Sequence, residues 1–459
     1  MSTQFDPAAP PLNDAGFAAL RQAIEAVARR PEADCVAALI DGARLLPAPA
    51  SRVARTAERL ATGVRNSRRR ASGVDALMNE FSLDSREGVA LMCLAEALLR
   101  VPDAAGRDRL IRDKLCHRDW SGHVGHSPSL FVNAAARSLA LTGRLLRSDE
   151  HVRGIAERGG ETLVREAMDC AMRLVGQQFV LGETVDDALV RANRGLAADY
   201  RYSFDMLGEA AVTADDAARY AAAYAQAIHA IGTHDRWRGV HKGNGISIKL
   251  SALHPRYTWS QRERVMHELL PRVRHLCMLA KARDIGLTID AEESERLALS
   301  LDLLEALASD PQLRDWSGLG FVVQAYQKSA PAVIDWIVAL GRRCQRRIMV
   351  RLVKGAYWDG EIKRAQQEGL VDYPVYTRKA HTDVAYLACA RRLLAAPDVV
   401  FPMFATHNAH TVAAVLELGG PFRSGDYEFQ CLHGMGETLY RQLVDAEDQI
   451  GRASCRERV

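Results

Sequence analysis

Six strand-like segments in the C-terminal half of the chain end in residues that can do chemistry. GISIKLSAL (245–253) delivers Lys249, GLTIDAE (286–292) delivers Asp290 and Glu292, and LGFVVQAY (319–326) delivers Gln324. RIMVRLVKGAY (347–357) supplies Arg351, Lys354 and Tyr357, with Trp358 next; VVFPMFATHN (399–408) supplies Thr406, His407 and Asn408; YEFQCLHGM (427–435) supplies His433. Lys249, Arg351, Lys354 and Lys379 form a set of cations, opposed mainly by Asp290. Such a set suits an anionic ligand that carries phosphates. Gly355, beside Lys354, allows the close backbone approach a pyrophosphate needs. Tyr357 and Trp358 can stack on a planar ring, and Gln324 can donate and accept along a heterocycle edge. There is no P-loop and no cysteine pair for an iron–sulfur cluster.

These residues need a scaffold that gathers strand ends at one place. From about residue 200, short β-rich runs alternate with amphipathic helices such as RERVMHELLPRVRHLCMLAKARD and PAVIDWIVALGRRC. Seven runs occur, the six above preceded by YRYSFDML (200–207). Apolar strands flanked by helices predict a parallel sheet covered on both faces. The fold class is α/β, and the architecture a (β/α)8 TIM-type barrel of about seven recognisable units, with its active site at the C-terminal ends of the strands. An open doubly wound sheet is the alternative, and the lack of GxGxxG after the first strand counts against it. Residues 17–185 read as helical almost throughout, about eight helices, with LPAPAS (46–51) as a linker. The Pro/Ala/Asp-rich residues 1–15 read as disordered. The organisation is then a disordered start (1–15), a helical arm (16–60), an all-helical domain (61–185), the barrel (186–449) and a tail (450–459).

Composition bounds the function. The chain has 459 residues, 48% hydrophobic and 25% charged, which excludes a disordered or collagen-like protein. A formal charge of +3 is too balanced to argue for nucleic acid or an anionic membrane surface. Nine scattered cysteines without a CxxC pair fit reduced thiols in a cytoplasm. The first residues lack the pattern of a signal peptide, and the apolar stretch 88–99 is interrupted by Glu96 and too short to span a bilayer. Two histidine groupings are candidates for metal sites. His117, His123 and His126 lack zinc spacing, and His407 with His410 offers only one ring to the mouth, so no metal is expected. The run Arg68–Arg70 reads as a solvated helix end.

Longer motifs carry a resemblance. FSLDSREGVALMCLAEALLRVPD, SPSLFVNAAARSLALTG, YSFDMLGEAA, SIKLSALHPRY, LTIDAEE, VVQAYQK, VRLVKGAYWDGEIKRAQ, YPVYTRKAHTDVAYLACA, FATHNAHTV and FQCLHGMGE resemble the proline dehydrogenase half of the proline utilization A family, from about residue 15 to about 444. The resemblance implies a flavin barrel that oxidises L-proline to Δ1-pyrroline-5-carboxylate with FAD as hydride acceptor. It implies Arg351 near the flavin N5, Gln324 on the isoalloxazine edge, and Lys354, Gly355 and Trp358 around the ribityl and phosphate region. Thr377, Lys379, Thr406 and His407 fall where the family binds the adenosine and pyrophosphate. Lys249 and Asp290 fall beside the substrate, Tyr357 and Leu432 where the proline ring is walled, and Glu209 where a partner for a substrate-binding arginine stands. The catalytic set on this basis is Arg351, Lys249 and Asp290.

The same resemblance implies a quinone electron acceptor at the membrane surface, peripheral association from the cytoplasm, and a homodimer. A ribbon-helix-helix segment of the kind some family members carry is absent, so no nucleic-acid partner is expected. The family continues past FQCLHGMGETLYRQLV through an eighth strand, a helix with an Arg-Arg pair for the substrate carboxylate, and an aldehyde dehydrogenase half. Here IGRASCRERV follows instead, and it reads in frame like a sequencing-library adapter. The expectation is a truncated barrel whose first and seventh strands are open edges, with weak FAD binding and poor turnover. The alternatives are a non-catalytic barrel used for assembly, and another flavin barrel such as a methylenetetrahydrofolate reductase.

Overall fold

The computed structural model describes residues 13–68, 106, 109, 180–194, 200–206, 208–235, 238–421, 423, 425–446 and 454–458. The helical reading of most of 69–179, and with it His117, His123 and His126, lies outside these residues. The chain divides into two compact units, one of residues 1–61 and 181–459 and one of 62–180. The first holds the barrel and the arm as far as residue 61.

The arm comprises α1 (Asp14–Val27), α2 (Glu32–Ala43) and α3 (Pro47–Arg68). Asn13 caps α1 by accepting the Gly16 amide at 2.8 Å, and the apolar stripe of α1 buries Phe17 and Ile24. LPAPAS is not a linker. It leads into α3, with Pro47 at the first helical position, where a missing N–H costs nothing. The connection lies just before it.

The barrel elements follow in chain order: α4 (Val185–Ala192), β1 (Arg201–Asp205), α5 (Ala214–Asp235), β2 (Gly245–Ile248), α6 (Leu250–Leu253), α7 (Arg262–Ala282), β3 (Gly286–Ile289), α8 (Leu297–Ala308), β4 (Leu319–Gln324), α9 (Ala330–Arg343), β5 (Ile348–Val353), α10 (Trp358–Gln367), α11 (Lys379–Leu394), β6 (Val400–Ala405), α12 (Ala409–Gly419), β7 (Glu428–Leu432), α13 (Glu437–Ala446) and β8 (Ser454–Arg458). All seven segments read as strands form strands, and every pairing is parallel. One expectation is corrected. β1 and β7 are not open edges, because β8 pairs with both and closes the ring. The reason is that a backbone ladder reads N–H and C=O groups rather than side chains, so an extended segment within reach can complete two bare edges.

Alternation divides each strand between two environments. The outward set, including Ile246, Ile248, Leu287, Phe321, Val350 and Leu352, is fully buried under the helices. The inward set is unusual for a barrel, whose interior is normally filled by branched apolar side chains. Arg201, Ser203, Ser247, Thr288, Arg351 and Gln430 are buried or nearly so, while Met349, Phe401 and Met403 form a small apolar cluster. Gly245 keeps the interior narrow there, since a Cβ would lie 2.9 Å from the Gly286 carbonyl oxygen. Small side chains from β1 and β2 leave room for the long arginine of β5.

Candidate active site at the barrel mouth

Three strand ends build one charged cluster. Lys249 follows β2, and its Nζ lies 2.9 and 3.1 Å from the two carboxylate oxygens of Asp205 and 3.3 Å from Asp290 Oδ2. The other oxygen of Asp290 accepts from Arg351 Nη1 at 3.1 Å. Asp290 therefore bridges the two cations. Arg351 also donates from Nη1 to Ser247 Oγ (2.9 Å), from Nη2 to Ser203 Oγ (2.8 Å) and from Nε to Gln430 Oε1 (2.6 Å). It sits within β5 rather than at its end, and is fully buried. A guanidinium that deep requires such partners, because an unpaired buried charge costs several kcal/mol.

Glu292 turns away from the mouth. It accepts the Ser251 amide at 3.0 Å and pairs with Arg296, which pins the short helix α6; burial pushes its pKa up against these contacts. Gln324 joins β4 to the turn after β5. Its Nε2 donates to the Glu292 carbonyl (2.9 Å) and its Oε1 accepts the Ala356 amide (3.0 Å). Within that turn Gly355 has φ +152°, and a Cβ would lie 2.4 Å from the Tyr326 ring. Both facts demand glycine.

The remaining cations gather at the N-terminus of α11. Lys354 Nζ and Lys379 Nζ approach the two oxygens of Asp383 at 2.5 and 2.8 Å. Burial works against the Asp383 charge, but the two lysines prevail and its pKa is lowered. Thr377 is engaged by the arm: its amide and hydroxyl donate to Glu32 at 3.0 and 2.7 Å, and His381 Nδ1 lies 2.5 Å from the same carboxylate. Trp358 donates its indole N–H to the Tyr376 carbonyl at 2.9 Å, and the residue is 42% exposed.

On the other side of the mouth, the Tyr357 hydroxyl donates to Glu209 Oε2 at 3.3 Å, and burial raises the Tyr357 pKa well above the usual phenol range. His407 Nε2 accepts the Leu432 amide at 3.0 Å, so the neutral ring is the form that fits; burial lowers its pKa accordingly. Thr406 Oγ1 accepts the Asn408 amide at 3.2 Å at the start of α12. His433 Nδ1 lies 3.4 Å from Glu437.

The structure thus joins Lys249, Asp290 and Arg351 in one cluster, Lys354 with Lys379, Tyr357 with Glu209, and His407 with Leu432. It ties Thr377 and Trp358 to neighbours instead. Sequence reasoning missed Asp205, the nearer partner of Lys249, although it ends the first strand as the other site residues end theirs. It also missed Asp383, Glu32, Ser203, Ser247, Glu428 and Gln430.

Comparisons with known proteins bear on this geometry. A family model described as "Proline dehydrogenase" matches residues 188–457. One described as "Proline utilization A proline dehydrogenase N-terminal domain" matches 18–65. A third, described as "DNA-binding domain of Proline dehydrogenase", matches 73–179, and its description names a ligand class that the sequence reading set aside. The chain is 57% identical over 434 residues to the bifunctional protein PutA of Salmonella typhimurium, covering 92% of this chain and 33% of that protein. It is 25% identical over 286 residues to proline dehydrogenase 1 of Bacillus subtilis, covering 62% of this chain and 82% of that protein. A crystal structure of a mutant of Bradyrhizobium japonicum proline utilization A superposes with a TM-score of 0.71 at 46% identity, covering 94% of this chain and 43% of that one. The chain spans about a third of the length of the bifunctional relatives.

Proposed function

The chain belongs to the proline dehydrogenase family, and from that premise we propose that it oxidises L-proline to Δ1-pyrroline-5-carboxylate with FAD as the electron acceptor. We propose further that it acts as the proline dehydrogenase portion of a longer bifunctional protein. The observation that carries the reading is the ion-paired set Lys249, Asp290 and Arg351 at the C-terminal end of the barrel.

The residues present fit a flavin dinucleotide. The donor set is right for one: two lysines converge at a helix N-terminus, where an anion is favoured, and Gly355 brings backbone close to them. Lys354, Gly355, Trp358, Thr377, Lys379, Thr406 and His407 would hold its ribityl, phosphate and adenosine parts, and Gln324 and Arg351 its ring. When bound, FAD supplies the two-electron acceptor that removes hydride from the substrate. Arg351 offers fixed positive charge where negative charge grows during reduction, without reorganisation, because its partners already hold it. Lys249 and Asp290 would orient the substrate's charged groups. Tyr357 and Leu432 would wall its ring, and the Glu209 contact fixes the Tyr357 hydroxyl at the rim.

Electron delivery to a membrane quinone, by peripheral contact from the cytoplasm, and homodimer formation are proposed with the family. Among the described residues no helix is long and apolar enough to cross a membrane. The test is anaerobic. The weak binding expected of an open barrel does not carry over to a ring that β8 closes, so the chain, mixed with FAD and freed of excess, is expected to show a bound-flavin spectrum that proline bleaches. A folded chain that takes up no flavin, or whose flavin proline leaves oxidised, overturns the reading.

A further inference from the structure

A polar chain runs down the inside of the barrel beneath the mouth. Arg351 Nε donates to Gln430 Oε1 at 2.6 Å. Gln430 Nε2 donates to Glu428 Oε1 at 2.6 Å and lies 3.3 Å from Met403 Sδ. Glu428 Oε2 pairs with Arg201 Nη2 at 3.1 Å. Glu428 and Gln430 are two apart on β7 and so share its inward face. Gln430 is 1% exposed and Glu428 8%.

An amide side chain can sit either way round, and here its neighbours decide. A carboxylate only accepts, so Glu428 must face the Gln430 NH2 group. A guanidinium only donates, so Arg351 must face the Gln430 carbonyl. Met403 sulfur, a weak acceptor, agrees with that choice. Nothing on Gln430 itself specifies it. Glu428, in turn, is held by an arginine at the far end of the barrel.

We propose that Gln430 is a positioning residue for Arg351, and that Glu428 determines which end of the Gln430 amide Arg351 meets. The inference rests on the placement of Arg351 beside the flavin ring. Neither residue touches substrate or cofactor on this account; both act through the aim of the guanidinium. If Glu428 becomes glutamine, its position can donate as well as accept. The Gln430 amide then loses its fixed orientation, and in the flipped state it turns N–H groups toward a buried cation.

The logic predicts a rescue. In the double variant Glu428→Gln/Gln430→Glu, the carboxylate at 430 accepts from Arg351 and from the amide at 428, whose carbonyl accepts from Arg201. These donors and acceptors match again, and the net charge is unchanged. The experiment compares the wild-type chain, Glu428→Gln, Gln430→Met and the double variant. Two quantities are read: FAD dissociation constant by flavin fluorescence, and the rate of anaerobic flavin bleaching over a range of proline concentrations. Each single variant is expected to weaken FAD binding and slow bleaching about tenfold, the scale of one lost hydrogen bond to a charged group. The proline concentration for half-maximal rate is expected to hold. The double variant is expected to recover both to within about threefold, well under the tenfold step that one lost bond represents. Gln430→Met keeps the test usable if Glu428→Gln fails to fold, since it removes the acceptor without touching the floor ion pair. Unchanged flavin affinity and bleaching in the singles overturns the inference, as does a double variant no better than they are. Wild-type chain that takes up no flavin fails the proposed function itself, a separate result.

Discussion

A guanidinium sealed within a barrel is stable only while its partners remain, and Arg351 leans most on Asp290, which also serves Lys249. Asp290→Ala removes a carboxylate from the fully buried Arg351 and from Lys249, which keeps Asp205, and is expected to cost about 3–5 kcal/mol. Urea unfolding measures it; a loss under about 1 kcal/mol, the scale of an exposed ion pair, would show that the cluster is solvated. His241 tests burial from the other direction. Its ring packs 4.3 Å from that of Phe401, and burial, aided by Arg347 and Arg201, pushes its pKa down to about 4. The unfolded chain therefore binds a proton that the folded chain refuses between about pH 6.5 and 4. Stability is present above that window and falls with pH through it, by roughly 3 kcal/mol in all. His241→Phe keeps the ring contact and is expected to flatten that part of the profile in unfolding curves between pH 7 and 4.5. Residues at this scale were unequally legible. Lys249 and Asp290 follow from the rule that barrel strands present chemistry at their C-terminal ends, and the same rule applied to RYSFD would have found Asp205. Gln430 and Glu428 break the companion rule that barrel interiors are apolar, so EFQCL offered no reason to aim its polar residues inward.

Between elements, single arginines do much of the joining. Arg346, just before β5, donates to the carbonyls of Leu307, Ala308, Leu313 and Trp316 at 3.3, 3.0, 2.9 and 2.6 Å. It thereby closes the C-terminus of α8 and the turn that follows. A lysine has one nitrogen to place and cannot span four carbonyls, so Arg346→Lys is expected to cost about 2–3 kcal/mol. Calorimetry of the folded variant reads it, and an unshifted melting temperature would refute the assignment. The seven strands were legible because each is a short apolar run between amphipathic helices, a pattern set by burial on both faces. The start of α3 was misread because Pro and Ser in LPAPAS signal a break and a helix N-terminus equally well. The eighth strand could not be read at all, since SCRER has no strand composition and its place depends on two edges formed far away in sequence.

Across the whole first unit, the arm lies along the outside of the barrel. Phe17 packs against Trp336 with centroids 5.4 Å apart, Arg21 reaches Asp302 at 2.6 Å, and Arg391 donates to the Gly42 and Arg44 carbonyls at 2.8 and 3.0 Å. Glu32 is the contact nearest the candidate site. Burial opposes its charge, yet its bonds with His381 and Thr377 lower its pKa. A depressed carboxylate contributes above its unfolded pKa, so this attachment is expected to weaken as pH falls through the acid range. Hydrogen exchange of residues 32–43 at pH 7 and pH 4 reads the effect, and Glu32→Gln should show the faster exchange at both. Equal exchange in the variant and the wild type at pH 7 would remove Glu32 from the attachment. No local signal announced this contact, because Glu32 and Thr377 meet only once the barrel exists. The ring's own closure has the same character, with a cost counted in time. β1 pairs with β8, so Arg201 waits for Ser454 while the intervening units are made. Throughout synthesis the first strand keeps one side bare, and a pairing between such distant segments is slow to find. The nascent chain is therefore open to wrong partners along that edge for as long as the intervening units take to be made, and a cell producing it depends on how long that interval lasts.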